Sequence, residues 1–191
     1  MIATIAAKEL RTMFASPVAW MVLGLMQAVL AWLFFAQLDA YLSVQNQLVN
    51  LANPPGFTEL VVKPAFETSR FVLLMATPIL SMRLIAEERR NQTMALLLSA
   101  PISMTQIALG KFLGLFAFLL LIVLEMVLLS LSLYAGGTPD LGLLASNAIG
   151  LALLAACFAA VGLFVSCLTA QPVAAAIGTL VALLEIGRAH V

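Results

Sequence analysis

Four long runs of apolar residues constrain this chain more than any other feature of its sequence. They occupy residues 18–37, 66–85, 112–133 and 141–168, and a fifth run begins at Val173 and stops being apolar after Leu184. A helix needs about 20 mostly apolar residues to cross the roughly 30 Å hydrocarbon core of a bilayer. Hydrophobic residues make up 63% of the 191 positions, whereas soluble domains contain roughly 45–50%. The sequence therefore predicts one all-α polytopic membrane domain over residues 1–191, with a fifth span that is incomplete.

Residues 2–15 precede the first run and predict a separate short helix. Its apolar and polar residues separate onto two faces, as expected for an interfacial helix that lies in the membrane surface. The apolar face holds Ala3, Ala6, Leu10, Met13 and Phe14, and the polar face holds Thr4, Lys8, Arg11 and Thr12. The alternative is a frayed extension of the first span.

The distribution of lysine and arginine predicts the orientation of the spans, because cytosolic loops are enriched in these residues. The N-terminus and residues 82–111 carry six of them, residues 39–70 carry two, and residues 134–140 carry none. We therefore expect a cytosolic N-terminus, a cytosolic segment at 86–104 and an external loop at 39–65.

Five charges fall within the eight residues from Arg83 to Arg90, in a chain with only 9% charged residues. The segment predicts a short cytosolic helix that Pro101 ends, and Ser103 with Gln106 forms a capping-box pattern that begins the next helix. Two interpretations remain open from the residues alone. The helix presents its charges to a soluble partner, or the charges form a solvated loop that only sets the topology.

Apart from Arg83, which belongs to the charged segment, three charged residues lie within the apolar runs, where a charge costs about 2.5–3.5 kcal/mol at a helix centre and so requires a partner or a purpose. They are Glu67, Arg70 and Glu125. Counted along helices, Arg70 and Glu125 reach a similar depth, which predicts an ion pair between the second and third spans or a shared polar wall. Glu67 is a competing partner for Arg70. Alternatively, local hydroxyl groups satisfy Glu125, which then has no transport role.

The sequence carries no motif for catalysis or cofactor binding. It lacks a phosphate-binding glycine loop, a His-Glu zinc pair and a nucleophile elbow. No segment is basic enough to bind nucleic acid. We therefore expect no enzymatic activity, no metal and no cofactor bound by this chain.

Residues 185–191 interrupt the fifth run with a polar segment that includes the sole histidine, His190. A natural membrane protein has little reason to stop being apolar within a half-built span. We expect these seven residues to be read-through and the natural protein to continue.

Residues 77–114 resemble the membrane subunits of type-two ABC (ABC-2) transporters, in particular the branch of the gliding-motility permeases. The matches are Met82-Arg83, Glu87-Glu88-Arg89, Thr93, Leu97-Leu98, Pro101 and Gly110-Lys111. The departures are Gln92, where the family usually has glycine, and Ala95, where it often has an acidic residue.

The resemblance implies a permease with six spans that couples ATP hydrolysis by a separate ABC ATP-binding subunit to transport, with export as the direction. ATP and Mg²⁺ are then held by that subunit, and a second permease chain completes a homo- or heterodimer in a prokaryotic inner membrane. The charged segment becomes the coupling helix, whose contact residues are Glu87, Glu88, Arg89, Arg90, Thr93, Leu97, Leu98 and Pro101. The alternative function is a non-transporting membrane anchor or assembly factor that recruits a soluble partner through the same segment.

Overall fold

The computed structural model describes residues 1–48, 56, 58–92, 102–133 and 140–188. Among these residues every regular element is a helix, which confirms the predicted all-α class. The elements are α1 (Ile2–Ala15), α2 (Pro17–Leu48), a π-helical turn (Thr58–Val62), α3 (Lys63–Ser81), α4 (Ala86–Arg90), α5 (Met104–Ser132), α6 (Leu141–Leu168) and α7 (Pro172–Arg188).

Four helical segments of the described chain are long and apolar enough to cross a membrane, and each covers nearly all or all of one of the four long apolar runs. They are Pro17–Gln45, Thr58–Arg90, Met104–Ser132 and Leu141–Leu168. Helix α7 has 17 residues, fewer than the about 20 that a span requires. It continues through Glu185 to Arg188, which form an ion pair at 3.5 Å. The total number of spans stays a prediction.

Polar side chains begin two of the spanning helices. The Ser103 hydroxyl accepts a hydrogen bond from the Gln106 backbone N–H, and the Gln106 side chain accepts one from the Ser103 backbone, so the predicted capping box is confirmed. Asp140 caps α6, because its carboxylate accepts from the backbone N–H groups of Gly142 and Leu143 at 2.8 and 3.2 Å. Both caps satisfy N–H groups that a helix start otherwise leaves unpaired.

Helix α3 lies at the centre of the bundle and packs against α2, α5, α6 and α7. The apolar part of the segment Thr58–Arg90, which contains α3, is 67% buried, compared with 33–39% for the other three spans. Lipid is as apolar as a leucine side chain, so small residues that allow close approach drive the packing of membrane helices. Gly162 of α6 provides such a contact, since a Cβ there would lie 2.7 Å from the Ser81 Cβ of α3.

Helix α2 extends to Leu48 and helical structure resumes at Thr58, so helices occupy both ends of the predicted external segment 39–65. Asn53, Pro54 and Pro55, where the sequence predicts a turn, lie outside the described residues. At this end of the bundle the Asp140 backbone N–H donates to the Thr58 hydroxyl at 3.0 Å. This contact joins the predicted external segment to the end of the segment 134–140, which carries no lysine or arginine.

Helix α1 packs along the start of α5, where two glycines make room for it. A Cβ at Gly110 would lie 2.6 Å from the Ile5 Cβ, and a Cβ at Gly114 would lie 2.7 Å from the Glu9 Cβ. Leu10, Met13 and Phe14 of the predicted apolar face pack against the hydrophobic core, whereas Ala3, which was assigned to that face, is exposed. The depth of α1 in the membrane stays a prediction.

We predict that Gly114→Ala destabilises the protein by about 1–3 kcal/mol, because the added methyl group overpacks the contact with α1. Thermal unfolding of the purified protein in detergent measures the effect. The matched control is Gly150→Ala in α6, where nothing lies within 4 Å of the added Cβ. The control should keep or raise the unfolding temperature, since alanine favours helix over glycine. Equal effects of the two substitutions would contradict the glycine-mediated packing of α1.

Candidate functional site

The short helix α4 is the described part of the segment predicted to contact a soluble partner. It follows α3 after the turn at 82–85 and holds the four charged residues of its motif within one and a half turns. Arg89 and Arg90 are exposed, whereas Glu87 and Glu88 are half-buried. The other predicted contact residues, Thr93, Leu97, Leu98 and Pro101, lie outside the described residues.

Lys111 of α5 is the most deeply buried charge next to this helix, with 1% of its side chain exposed. Its ammonium nitrogen lies 3.1 Å from Glu9 Oε1, 2.7 Å from Glu88 Oε1 and 2.7 Å from the Leu84 carbonyl oxygen. An ammonium group has three N–H donors, so these three acceptors satisfy it completely. One side chain thereby connects α1, the turn before α4, and α4 to α5.

Ser166 of α6 provides a second anchor for α4. Its fully buried hydroxyl accepts hydrogen bonds from the backbone N–H groups of Ile85 and Ala86, at 3.2 and 3.1 Å. These N–H groups belong to the start of α4, where a helix has no internal acceptors. The hydroxyl therefore takes the place of a local capping residue and fixes α4 to a spanning helix.

The outer contacts of the site are more exposed, and the outer ion pairs are longer than those of Lys111. Arg83 donates to the Ser16 hydroxyl at 3.0 Å and lies 4.0 Å from the Glu87 carboxylate. Lys8 lies 3.4 Å from Glu9 and 3.8 Å from Glu88. Exposed ion pairs of this kind are worth about 0–1 kcal/mol. The buried contacts of Lys111 and Ser166 therefore decide the position of α4.

Glu88 was predicted to face a soluble partner, and the structure instead turns it toward Lys111, leaving 19% of its side chain exposed. No local pattern predicts this inward orientation, because Lys111 is 23 residues away along the chain. Glu9 and Ser166 were also missed as members of the site. A lone acid in an otherwise apolar or basic amphipathic helix is the one signal that could have identified Glu9.

Gln92, directly after α4, has a positive φ of 58°. A left-handed backbone at this position commonly ends a helix, and glycine adopts it without a steric penalty. This geometry explains why glycine suits position 92, where the pattern of the resembling ABC-2 permeases usually has glycine and this chain has glutamine.

The predicted ion pair between Arg70 and Glu125 is not formed. Glu67 and Arg70 are both on the exposed face of α3, whereas Glu125 lines a groove between α2 and α5 with Leu23 and Gln27. Glu125 Oε2 is buried without a hydrogen-bond partner among the described residues. The predicted pair rested on the similar depth of the two residues along their helices. It did not take into account the side of each helix on which the residue lies. Glu125 therefore contributes to a different surface from Arg70.

The described residues contain no group of three or more histidine, cysteine, aspartate or glutamate side chains placed to hold a metal ion. What the site provides is a mechanical connection. Any displacement of α4 acts on α5 through Lys111, on α6 through Ser166, and on α1 through Glu9. The site therefore attaches α4, at a polar end of the bundle, to α1 and to two of the spanning helices.

We predict that Lys111→Met lowers the free energy of unfolding by about 3–5 kcal/mol, because it leaves the buried Glu9 carboxylate with only the exposed Lys8 as a charge partner. Thermal or denaturant unfolding in detergent measures the loss. Lys63→Met is the control, since Lys63 is exposed at the start of α3. The control should change stability by less than about 1 kcal/mol. Similar stabilities of the two variants would show that the buried contacts of Lys111 do not hold the site together.

Comparison with known proteins agrees with this architecture. The model of a family described as ABC-2 family transporter protein matches residues 3–186, which is nearly the whole chain. Neither the curated proteins nor the solved structures include a match. The match covers the helices that form the site as well as the four spans. The chain is therefore a multi-pass membrane protein that belongs to the ABC-2 transporter family.

Proposed function

We propose that this chain is the permease subunit of an ATP-driven exporter and that a separate ATP-binding subunit docks on α4. The observation that carries the proposal is the buried attachment of α4 to α1, α5 and α6 through Lys111 and Ser166. A helix that only set the topology would have no need of such an attachment. A family of ABC transporter membrane proteins provides the context in which a soluble motor subunit acts on such a helix.

The docking contact consists of the residues that α4 presents outward and the segment that follows it. Arg89 and Arg90 are exposed and Glu87 is half-buried, so these three are available to a partner. We extend the contact to Thr93, Leu97, Leu98 and Pro101 on the basis of the sequence pattern alone. Glu88 has a different role in this proposal, because its bond to Lys111 makes it the inner anchor of α4.

The mechanism requires no chemistry in this chain. The partner subunits hold ATP and Mg²⁺, and their closure on ATP moves α4. Because ATP binds the closed arrangement more tightly, it biases the permease between two arrangements of similar energy. A second permease chain, identical or related, provides the other half of the transport route.

The orientation and location follow from the same proposal. Helix α1, α4 and the start of α5 contact one another, so the two segments richest in lysine and arginine lie at one end of the bundle. The positive-inside rule favours the cytosol for that end. We propose a prokaryotic inner membrane, and a relationship to the gliding-motility branch, on the strength of the sequence resemblance.

Charge reversal at Arg89 and Arg90 together tests the docking contact. We expect the variant to lose about a hundredfold or more in affinity for the ATP-binding subunit, since each of the two charge-assisted contacts is worth about 1.5–3 kcal/mol and about 1.4 kcal/mol is tenfold. Stability should be unchanged, because both side chains are exposed. Copurification of the subunit and the ATPase rate of the reconstituted complex are the measurements.

Lys63→Glu is the matched control for this experiment, as it reverses an exposed cation at the other end of α3. If the variant with Arg89 and Arg90 reversed copurifies the subunit as well as Lys63→Glu does, and has the same ATPase rate, the docking role of α4 is contradicted. If a soluble protein copurifies through α4 but has no ATPase activity, the chain is a membrane anchor or assembly factor instead of a permease.

A further inference from the structure

A cavity of about 300 Å³ lies among α1, the start of α2, the end of α3, and α4. Its charged lining consists of Lys8 and Arg83 together with Glu9, Glu87 and Glu88. Lys111 contacts Glu9 and Glu88, so three cations balance three carboxylates around the cavity. Walls that carry both signs in equal number suit a ligand that is itself zwitterionic, because a lone anion or cation would meet repulsion as well as attraction.

The remaining wall of the cavity is apolar and belongs to the membrane-spanning helices. Val18 and Ala19 line it from the first turn of α2, and Ile79 and Leu80 line it from the last turns of α3. Ile79 is 37% exposed, so an acyl chain can lie against this wall. The cavity thus combines a charged side and an apolar side where the first two spans reach their polar end.

We propose that this cavity binds the headgroup of a phospholipid that carries a primary ammonium group. Arg83 and Lys8 bind the phosphate, the Glu87 carboxylate accepts hydrogen bonds from the ammonium group, and an acyl chain follows Val18 and Ile79. A guanidinium group has five N–H donors in a planar fork that matches phosphate oxygens. The hydrogen bond from Arg83 to Ser16 uses one of these donors, and the 4.0 Å ion pair with Glu87 is too long to use another, which leaves four for the phosphate.

The site connects lipid binding to the position of α4. Its phosphate ligands lie on α1 and in the turn before α4, and its ammonium ligand lies on α4. A bound lipid therefore bridges the same elements that Lys111 connects from the interior. Glu87 belongs both to this site and to the proposed docking contact, whereas Lys8, Arg83 and the apolar wall belong to this site alone.

Binding of phosphatidylethanolamine labelled on its acyl chain tests the proposal. The protein is purified in detergent with the subunits that accompany it, freed of lipid and titrated with the labelled lipid. We expect Arg83→Gln to weaken binding about tenfold or more, whereas Arg83→Lys keeps a substantial part of it. Arg11→Gln is the matched control, because Arg11 is an exposed cation on α1 that does not line the cavity. It should bind as the unaltered protein does.

The same assay tests the selectivity for the lipid headgroup and whether the ligand is a lipid or a soluble compound. Glu87→Gln should weaken binding of phosphatidylethanolamine but not of the low level of phosphatidylglycerol that binds. If phosphatidylcholine and phosphatidylglycerol bind as tightly as phosphatidylethanolamine does, the ammonium contact is overturned. Efficient competition by soluble glycerophosphoethanolamine would overturn the lipid source. If Arg83→Gln, Arg83→Lys and Arg11→Gln all bind alike, the cavity holds no phospholipid headgroup.

Discussion

The buried ammonium group of Lys111 is the interaction on which the polar end of this molecule depends. Removing a charge from water costs several kcal/mol unless its partners replace the lost hydration. Glu9, Glu88 and the Leu84 carbonyl oxygen use all three of its N–H donors at 2.7–3.1 Å. Because these acceptors come from α1, from the turn before α4 and from α4, satisfying one cation requires all three segments to be in place.

Small residues make that arrangement sterically possible. The glycines at 110 and 114 let α1 approach α5 closely enough for Glu9 to reach Lys111, and Gly162 brings α6 against the end of α3. That second approach places the Ser166 hydroxyl at the start of α4. The packing of the spans therefore also determines the position of α4, and it gives this short polar helix a rigid connection to the membrane domain.

Hydropathy and local capping chemistry predict most of the fold, because a span and a capping box are properties of neighbouring residues. The four long spans, the short charged helix and the Ser103–Gln106 cap are all found in the structure. The contacts of the site are not local, since Lys111 and Glu9 are 102 residues apart. The inward turn of Glu88 and the separation of Arg70 from Glu125 depend on how each helix is rotated, which a count of residues along the chain does not determine.

Lys111 joins α1 to α4, so the two helices should move as one mechanical unit. Spin labels at Arg11 and Arg90, both exposed, report this directly, with Cys157 and Cys167 replaced to avoid unwanted labelling. Electron spin–spin distances are measured in the assembled transporter without nucleotide and with ATP under non-hydrolysing conditions. The account predicts one narrow distance distribution that is the same in both states, while the distance from Arg90 to a label at Lys63 changes. A distance between α1 and α4 that shifts or broadens with ATP would contradict it.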